Sequence, residues 1–133
     1  MKKVLLFLLS LLLLVACEDR QRVVTPTSDQ AKLVMDKKQY DFGTLTDDNG
    51  VVEHTFQFVN EGREKLVINR IHAYCHCTAV DYPKEPIKPG HASKIKVYLN
   101  TRDLSPGHFT RTIEIFHNGI GGQTVIFVRG EKI

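Results

Sequence analysis

The sequence lacks three features, and each absence excludes a class of protein. Its 18 Lys and Arg against 15 Asp and Glu give a formal net charge of +3, without the basic excess that general nucleic-acid binding needs. It contains no phosphate loop, dinucleotide fingerprint or nucleophile elbow, the motifs of several large enzyme classes. It also lacks, after residue 17, the amphipathic stripe of apolar residues that a helical domain would show. At 133 residues, with 42% hydrophobic and 25% charged residues, it has the composition and length of one globular domain.

Residues 1–16 have the organisation of a signal peptide. Met1-Lys2-Lys3 is basic, and Val4–Val15 is apolar apart from Ser10. Twelve helical residues span about 18 Å, too short for the roughly 30 Å hydrocarbon core of a membrane. The ending Leu14-Val15-Ala16-Cys17 resembles a bacterial lipobox, which implies cleavage before Cys17 and its diacylation. An ordinary signal peptide followed by a cysteine is the alternative.

Residues 17–31 are polar and without periodicity, which predicts a flexible tether behind the lipidated Cys17. Because two or three acyl chains anchor a protein stably, we expect a lipid-anchored protein of the cell envelope that contacts the membrane through Cys17. We place it at the outer membrane, on its periplasmic or its surface side. Glu18-Asp19 resembles a surface-export signal in some Gram-negative lineages and an inner-membrane retention signal in others, so the leaflet stays open.

Residues 32–133 show the pattern of short strands separated by turns. The period-two alternation is clearest where Phe56 and Phe58 fall on the core side and Gln57 on the solvent side. Seven candidate strands follow at intervals near ten residues: Lys32–Met35, Gln39–Phe42, Val51–Asn60, Leu66–Cys75, Ser93–Asn100, Phe109–His117 and Gln123–Arg129. This pattern predicts an all-β fold, an Ig-like antiparallel β-sandwich of about seven strands. A small barrel is the alternative.

Local signals predict the connections between these strands. Asn60-Glu61-Gly62 and Asp47–Gly50 are typical of hairpin turns. Asn118–Gly122 is a further turn, and a change of parity near Asn69-Arg70 predicts a bulge. We expect the side chains of His108 and His117, at a turn and a strand end, to be solvated.

Six short motifs in order resemble one bacterial family, that of domain of unknown function 1573, whose domains are similar to Hydin-type and major-sperm-protein-like Ig folds. The resemblance covers about Lys32 to Gly130 and implies an Ig-like fold and an envelope location, but no established activity. The family usually has Cys-Gly-Cys-Thr, whereas this chain has His76 between its cysteines. The motifs are Tyr40-Asp41-Phe42-Gly43, His54–Gly62, Leu66-Val67-Ile68, Cys75-His76-Cys77-Thr78, Ile87-Lys88-Pro89-Gly90 and Gly130.

Cys75 and Cys77 are the candidate functional residues. Their Cα atoms would lie about 6.5 Å apart in an extended strand, near the upper limit for a disulfide, so a bridge needs a local turn. One interpretation is therefore a small, readily reduced disulfide or two packed thiols. A second is a soft-metal site for copper or zinc, in which His72, His76 or His91 adds a nitrogen ligand to the two thiolates. A third is thiol exchange.

Three classes of function follow from these features. The first, which we favour, is a membrane-anchored, non-catalytic interaction module that binds another envelope protein or an extracellular ligand, without a cofactor and without nucleic acid. The second is an envelope soft-metal or thiol-redox protein that uses Cys75 and Cys77. The third is an enzyme, for which the sequence offers no catalytic set.

Overall fold

The computed structural model describes residues 25–133, which form two four-stranded β-sheets packed face to face. The predicted signal peptide and Cys17 lie outside these residues. The strands are β1 (Leu33–Val34), β2 (Gln39–Leu45), β3 (Val51–Asn60), β4 (Ile68–Ala73), β5 (Thr78–Asp81), β6 (Ala92–Asn100), β7 (Gly107–His117) and β8 (Gln123–Lys132). Two short 3₁₀ turns, Asp47–Asn49 and Thr101–Asp103, follow β2 and β6. The predicted Ig-like β-sandwich is confirmed.

The first sheet has the strand order β1-β3-β6-β5 and the second the order β2-β8-β7-β4. All neighbours are antiparallel except β2 and β8, which run parallel. The predicted bulge is present, because the register of β4 against β7 shifts between Ile68 and Arg70. The predicted turn Asn118–Gly122 joins β7 to β8 as an antiparallel hairpin.

The other two predicted hairpins are wrong. Asp47–Gly50 connects β2 of the second sheet to β3 of the first, and Asn60-Glu61-Gly62 begins the crossing from β3 back to β4. Neither strand pair shares hydrogen bonds, because each connection changes sheets. Residues 25–133 also form eight strands rather than about seven. The missed strand β5 is a four-residue edge strand in which Thr78 and Val80 are only half-buried and the other two residues are exposed, so its alternation is weak.

The core lies between the sheets and contains the predicted inward residues. Phe56 and Phe58 are 2% and 1% exposed, whereas Gln57 between them is exposed. They pack in a main cluster with buried side chains of β4, β6, β7 and β8 and of residues outside the strands: Ala31, Met35, Leu66, Ile68, Ile87, Ile95, Val97, Ile113, Ile115, Ile126 and Val128. A smaller cluster closes one end of the sandwich and consists of Leu45, Cys77, Leu99, Leu104 and Phe109.

Residues 27–31, which the sequence pattern assigns to the tether, lie against the crossing from β3 to β4. The Arg63 N–H donates to the Ser28 carbonyl over 2.8 Å, and Ala31 is 1% exposed. Gly62 permits this approach, because a Cβ at that position would overlap the carbonyl oxygen of Gln30. This stretch therefore packs as part of the sandwich.

Asn60 is a fully buried amide that joins three separate segments. Its Oδ1 accepts from the Lys32 and Gly62 N–H groups over 3.1 and 3.0 Å. Its Nδ2 donates to the Glu64 and Ile87 carbonyls over 2.7 and 3.0 Å. All four hydrogen-bonding positions of the side chain are used, which is what burial of an amide requires.

We predict that Asn60→Ala lowers the free energy of unfolding by about 3 kcal/mol or more, because it leaves buried backbone groups without partners. Asn69→Ala, at an exposed position in the bulge of β4, is the matched control and should change stability by less than about 0.5 kcal/mol. Urea denaturation measures both variants. Equal midpoints for the two would contradict the role of Asn60.

His117 is 4% exposed, so the expectation of a solvated side chain is wrong, whereas the side chain of His108 is 86% exposed, as expected. The Gly119 N–H donates to His117 Nδ1 over 3.1 Å, which leaves Nε2 to donate to Thr124 Oγ1 over 3.0 Å. These bonds require the neutral ring. Burial lowers the pKa of His117 below its usual value of 6.5.

The pKa of His117 is lower in the folded protein than in the unfolded chain. The stabilising contribution of the neutral ring is therefore fully present above about pH 6.5, and it is lost as the pH falls below that value. We predict that His117→Gln, which cannot titrate, reduces this acid loss in thermal unfolding measured from neutral to acidic pH. Part of the loss should persist through His54, whose pKa is lowered by burial and then by the charge of Lys37. Gln57→Ala, an exposed substitution that removes no titratable group, should leave the pH profile unchanged.

Candidate functional site

Cys75, His76 and Cys77 form a tight turn between β4 and β5 rather than an extended segment. The Thr78 N–H donates to the Cys75 carbonyl over 3.1 Å, and the Asn100 N–H donates to the Cys77 carbonyl over 2.8 Å. The Cα atoms of the two cysteines lie 5.1 Å apart and their sulfurs are joined in a disulfide. Backbone hydrogen bonds thus hold this turn in addition to the covalent bridge.

The two sulfurs have different surroundings. Cys77 is 2% exposed and belongs to the smaller core cluster, whereas Cys75 is half-buried and packs against that cluster from outside. A bridge that encloses one residue restricts the unfolded chain little, so its entropic contribution to stability is about 2 kcal/mol or less. The sandwich therefore does not depend on this disulfide for its fold.

Arg111 of β7 brings a positive charge to the buried sulfur. Its Nε lies 3.4 Å from Cys77 Sγ, and its Nη1 donates to the Thr110 carbonyl over 3.2 Å. Within residues 25–133, no carboxylate lies within ion-pair distance of this half-buried guanidinium. Arg111 occupies a core-facing position of its strand, between Phe109 and Ile113, where the alternation calls for an apolar residue.

A surface depression of about 570 Å³ opens beside the disulfide. Its wall includes the two cysteines, and its other lining residues come from the turn, from β7 and from the 3₁₀ turn after β6: Tyr74, His76, Asp103, Thr110, Arg111 and Thr112. We call it the disulfide depression. It gives solvent and small molecules a route to the bridge.

The set of residues considered for copper or zinc is not assembled. His76 lines the disulfide depression, and the exposed His72 packs its ring edge-on against Tyr74 with centroids 4.2 Å apart. Asn100, at one end of β6, bonds to Cys77, whereas His91 precedes the other end. The nine extended residues of β6 put His91 about 30 Å from Cys77. In the part of the chain that the structure describes, no three His, Cys, Asp or Glu side chains are grouped to hold a metal ion.

The outward side of the second sheet carries aromatic and aliphatic side chains at positions that alternation assigns to solvent. Tyr74 is 67% and Phe127 36% exposed, and Phe116 and Val125 are partly exposed beside them. Phe127 is paired across the strands with Thr112, which also lines the disulfide depression. We call Tyr74, Phe116, Val125 and Phe127 the aromatic face.

Charged residues on this side of the sheet contact aromatic side chains or one another. The Arg70 guanidinium lies 4.2 Å from the centroid of the Phe116 ring, and the Tyr74 hydroxyl donates to Glu114 over 2.7 Å. That hydrogen bond raises the pKa of Tyr74. At the far edge, Asp41 accepts from the Gly43 N–H and from Arg129 Nε, and these two contacts lower the pKa of Asp41 in that order. The two cationic and two anionic side chains on this side of the sheet therefore leave it with little net charge.

Cys75, Cys77 and His76 were candidates from the sequence, whereas Arg111 and the aromatic face were not. In the sequence, Arg111 and the phenylalanines of the aromatic face break the alternation of inward apolar and outward polar residues. Arg111 stands at an inward position of β7, whereas Phe116 and Phe127 stand at outward positions of β7 and β8.

Among residues 25–133 there is no helix long and apolar enough to cross a lipid bilayer.

Residues 33–132 match the family described as "Protein of unknown function (DUF1573)". No curated protein matches the sequence at a significant level. Several solved structures share the fold at low sequence identity, which makes them informative about architecture alone.

A protein of unknown function from Porphyromonas gingivalis W83 is 15% identical, with a TM-score of 0.66 over 85% of this chain and 51% of that one. This chain therefore spans about half the length of that protein. The ASH/PapD-like domain 7 of human CEP192 is 10% identical, with a TM-score of 0.61 over 83% and 89% of the two chains. The Vibrio cholerae VesB protease is 14% identical, with a TM-score of 0.56 over 78% of this chain but only 32% of the protease.

Proposed function

The chain belongs to the DUF1573 family of proteins of unknown function, and we propose that it is a non-catalytic interaction module held at a bacterial cell envelope by lipid on Cys17. The observation that carries this proposal is the aromatic face, on which Tyr74, directly after β4, and Phe127, at an outward position of β8, are exposed. An Ig-like sandwich is a rigid support for such a surface, although the fold alone fixes no function.

The chemistry of the aromatic face favours a protein surface as its partner. Tyr, Phe and Arg are enriched in protein–protein interfaces, where aromatic side chains supply most of the binding energy. Because Glu114 and Arg70 already have partners on the face, covering it leaves few charges without compensation. A neutral face also attracts no polyanion, so nucleic acid is not the partner we propose.

The proposed anchor restricts where that partner lies. Thr27, where the contacts of the sandwich begin, is the tenth residue after Cys17. Even a fully extended chain of that length reaches at most about 36 Å. A module lipidated at Cys17 thus meets partners close to the membrane surface. We propose the outer membrane, with the periplasmic and surface sides to be separated by experiment.

We predict that Cys17→Ala abolishes the labelling of the protein by fatty acid and leaves it unprocessed by the lipoprotein pathway. The reason is that the thiol of Cys17 is the acceptor of the diacylglyceryl group. Metabolic labelling followed by mass spectrometry of the mature N-terminus measures this, and protease accessibility on intact cells assigns the side of the membrane. A mature wild-type chain that starts at another residue and carries no acyl group would exclude the anchor.

We predict that a photo-crosslinking residue at position 127 of the full chain, in the cells it comes from, gives one discrete adduct with another envelope protein. The same residue at position 57, exposed on the first sheet, is the matched control and should give none. The partner is identified by mass spectrometry and its affinity is then measured with the purified pair.

In that purified pair, Tyr74→Ser together with Phe127→Ser should weaken binding about tenfold or more, since loss of a central aromatic contact costs about 2 kcal/mol. Gln57→Ser should leave the affinity unchanged. Equal crosslinking at positions 57 and 127, an adduct with a second copy of this chain, or unchanged affinity after the double substitution would each contradict the proposed surface.

A further inference from the structure

We propose that the Cys75–Cys77 disulfide is redox-active and passes its oxidising equivalents to dithiols of other proteins or peptides, with Cys75 as the sulfur attacked and Cys77 as the leaving group. This inference goes beyond binding at the aromatic face and does not depend on what that face binds. It stands on the unequal burial of the two sulfurs, on Arg111 and on the disulfide depression.

Access to the bridge is unequal and selects Cys75. Thiol–disulfide exchange begins with a thiolate that reaches one sulfur of the bridge. Both cysteines line the disulfide depression, but Cys77 is 2% exposed and belongs to the smaller core cluster, whereas Cys75 is only half-buried. An incoming thiolate therefore meets Cys75 Sγ first.

Arg111 favours the departure of Cys77. When the bridge opens, negative charge collects on Cys77 Sγ, which lies 3.4 Å from Arg111 Nε. Thr78 Oγ1 lies 3.5 Å from the same sulfur and can donate to it. A guanidinium beside a sulfur stabilises the thiolate, and a stabilised thiolate leaves faster. Reduction would also give Arg111 the anionic partner that it lacks within residues 25–133.

The exchange balances without a further reactant. A thiolate of the dithiol attacks Cys75 Sγ, the Cys75–Cys77 bond breaks and its electron pair goes to Cys77 Sγ. In the mixed disulfide, the first sulfur of the dithiol is bonded to Cys75 Sγ. The second thiolate of the dithiol attacks that first sulfur, and the electron pair of the broken bond goes to Cys75 Sγ. The dithiol is oxidised to a disulfide by two electrons, and this chain becomes a dithiol that has taken up the two protons.

The turn supports reversal of the reaction. Hydrogen bonds from Thr78 N–H to the Cys75 carbonyl and from Asn100 N–H to the Cys77 carbonyl involve neither sulfur. They hold the two residues in the same turn after reduction, so the sulfurs remain close enough to be joined again. A bridge that enclosed the two ends of a long loop would lack this property.

The test uses the full chain with Cys17→Ala, in which Cys75 and Cys77 are the only cysteines. The folded protein is exposed to reduced glutathione, the reaction is stopped by acid, and free thiols are alkylated for peptide mapping. We expect glutathione on Cys75 and the alkyl group on Cys77 in roughly tenfold excess over the reverse arrangement. Equal labelling, or reaction only as fast as the protein unfolds, would overturn the proposal.

Arg111 is tested by its effect on rate and on ionisation. Arg111→Gln should slow reduction by dithiothreitol about tenfold, whereas Arg63→Gln, at an exposed arginine distant from the cysteines, should not. In the Cys75→Ser background, the ultraviolet absorbance of the Cys77 thiolate should appear at higher pH once Arg111→Gln is introduced. Circular dichroism confirms that each variant is folded. An unchanged rate and an unchanged titration would show that Arg111 only packs against the sulfur.

Discussion

The side chain of Asn60 is the constraint on which the path of the chain depends. A buried amide must satisfy two acceptor and two donor positions, and Asn60 does so with backbone groups of Lys32, Gly62, Glu64 and Ile87. These bonds hold β1 beside β3, direct the chain out of the first sheet and fix the loop before β6. The crossing then delivers β4 to the edge of the second sheet, and the turn that follows β4 is the one that carries the disulfide.

The strands with regular alternation were predictable from the sequence, because each inward side chain is chosen by the same core. Val51–Asn60 and Ser93–Asn100 are long, central strands. The predicted inward residues Phe56 and Phe58 are nearly inaccessible, as are Ile95, Val97 and Leu99 at alternate positions of the second strand. The connection after Asn60 was misread for a physical reason. An Asn-x-Gly sequence is a local turn signal, whereas two of the partners that decide the direction of this chain lie 27 and 28 residues away. The edge strand β5 was missed because it has only four residues and its inward positions Thr78 and Val80 are only half-buried.

At the candidate site, too, the part set by neighbouring residues was predictable and the part set by distant residues was not. The spacing of Cys75 and Cys77 indicated a pair that could bridge only in a turn, and the residues do lie in a turn. The contribution of Arg111 comes from a strand 34 residues further along, so no spacing rule connects it to the cysteines. What the sequence does contain is an exception to parity: an arginine in line with Phe109, Ile113 and Ile115, and phenylalanines out of line at positions 116 and 127. In a sandwich whose central strands β3 and β6 follow the alternation, core packing does not explain the residues that break it.

The aromatic face and the disulfide depression adjoin at Tyr74 and Thr112 but are held by different parts of the fold. The face is built on the paired strands β4, β7 and β8, whose register is fixed by backbone hydrogen bonds across the sheet. The disulfide is held by a turn at the end of the sandwich, where the smaller cluster of Leu45, Leu99, Leu104 and Phe109 surrounds Cys77. Opening the bridge changes the charge next to Arg111 without breaking any hydrogen bond of the sheet. Binding on the face and reduction of the disulfide can therefore be altered separately by mutation, although a partner bound at Tyr74 would lie beside the sulfur of Cys75.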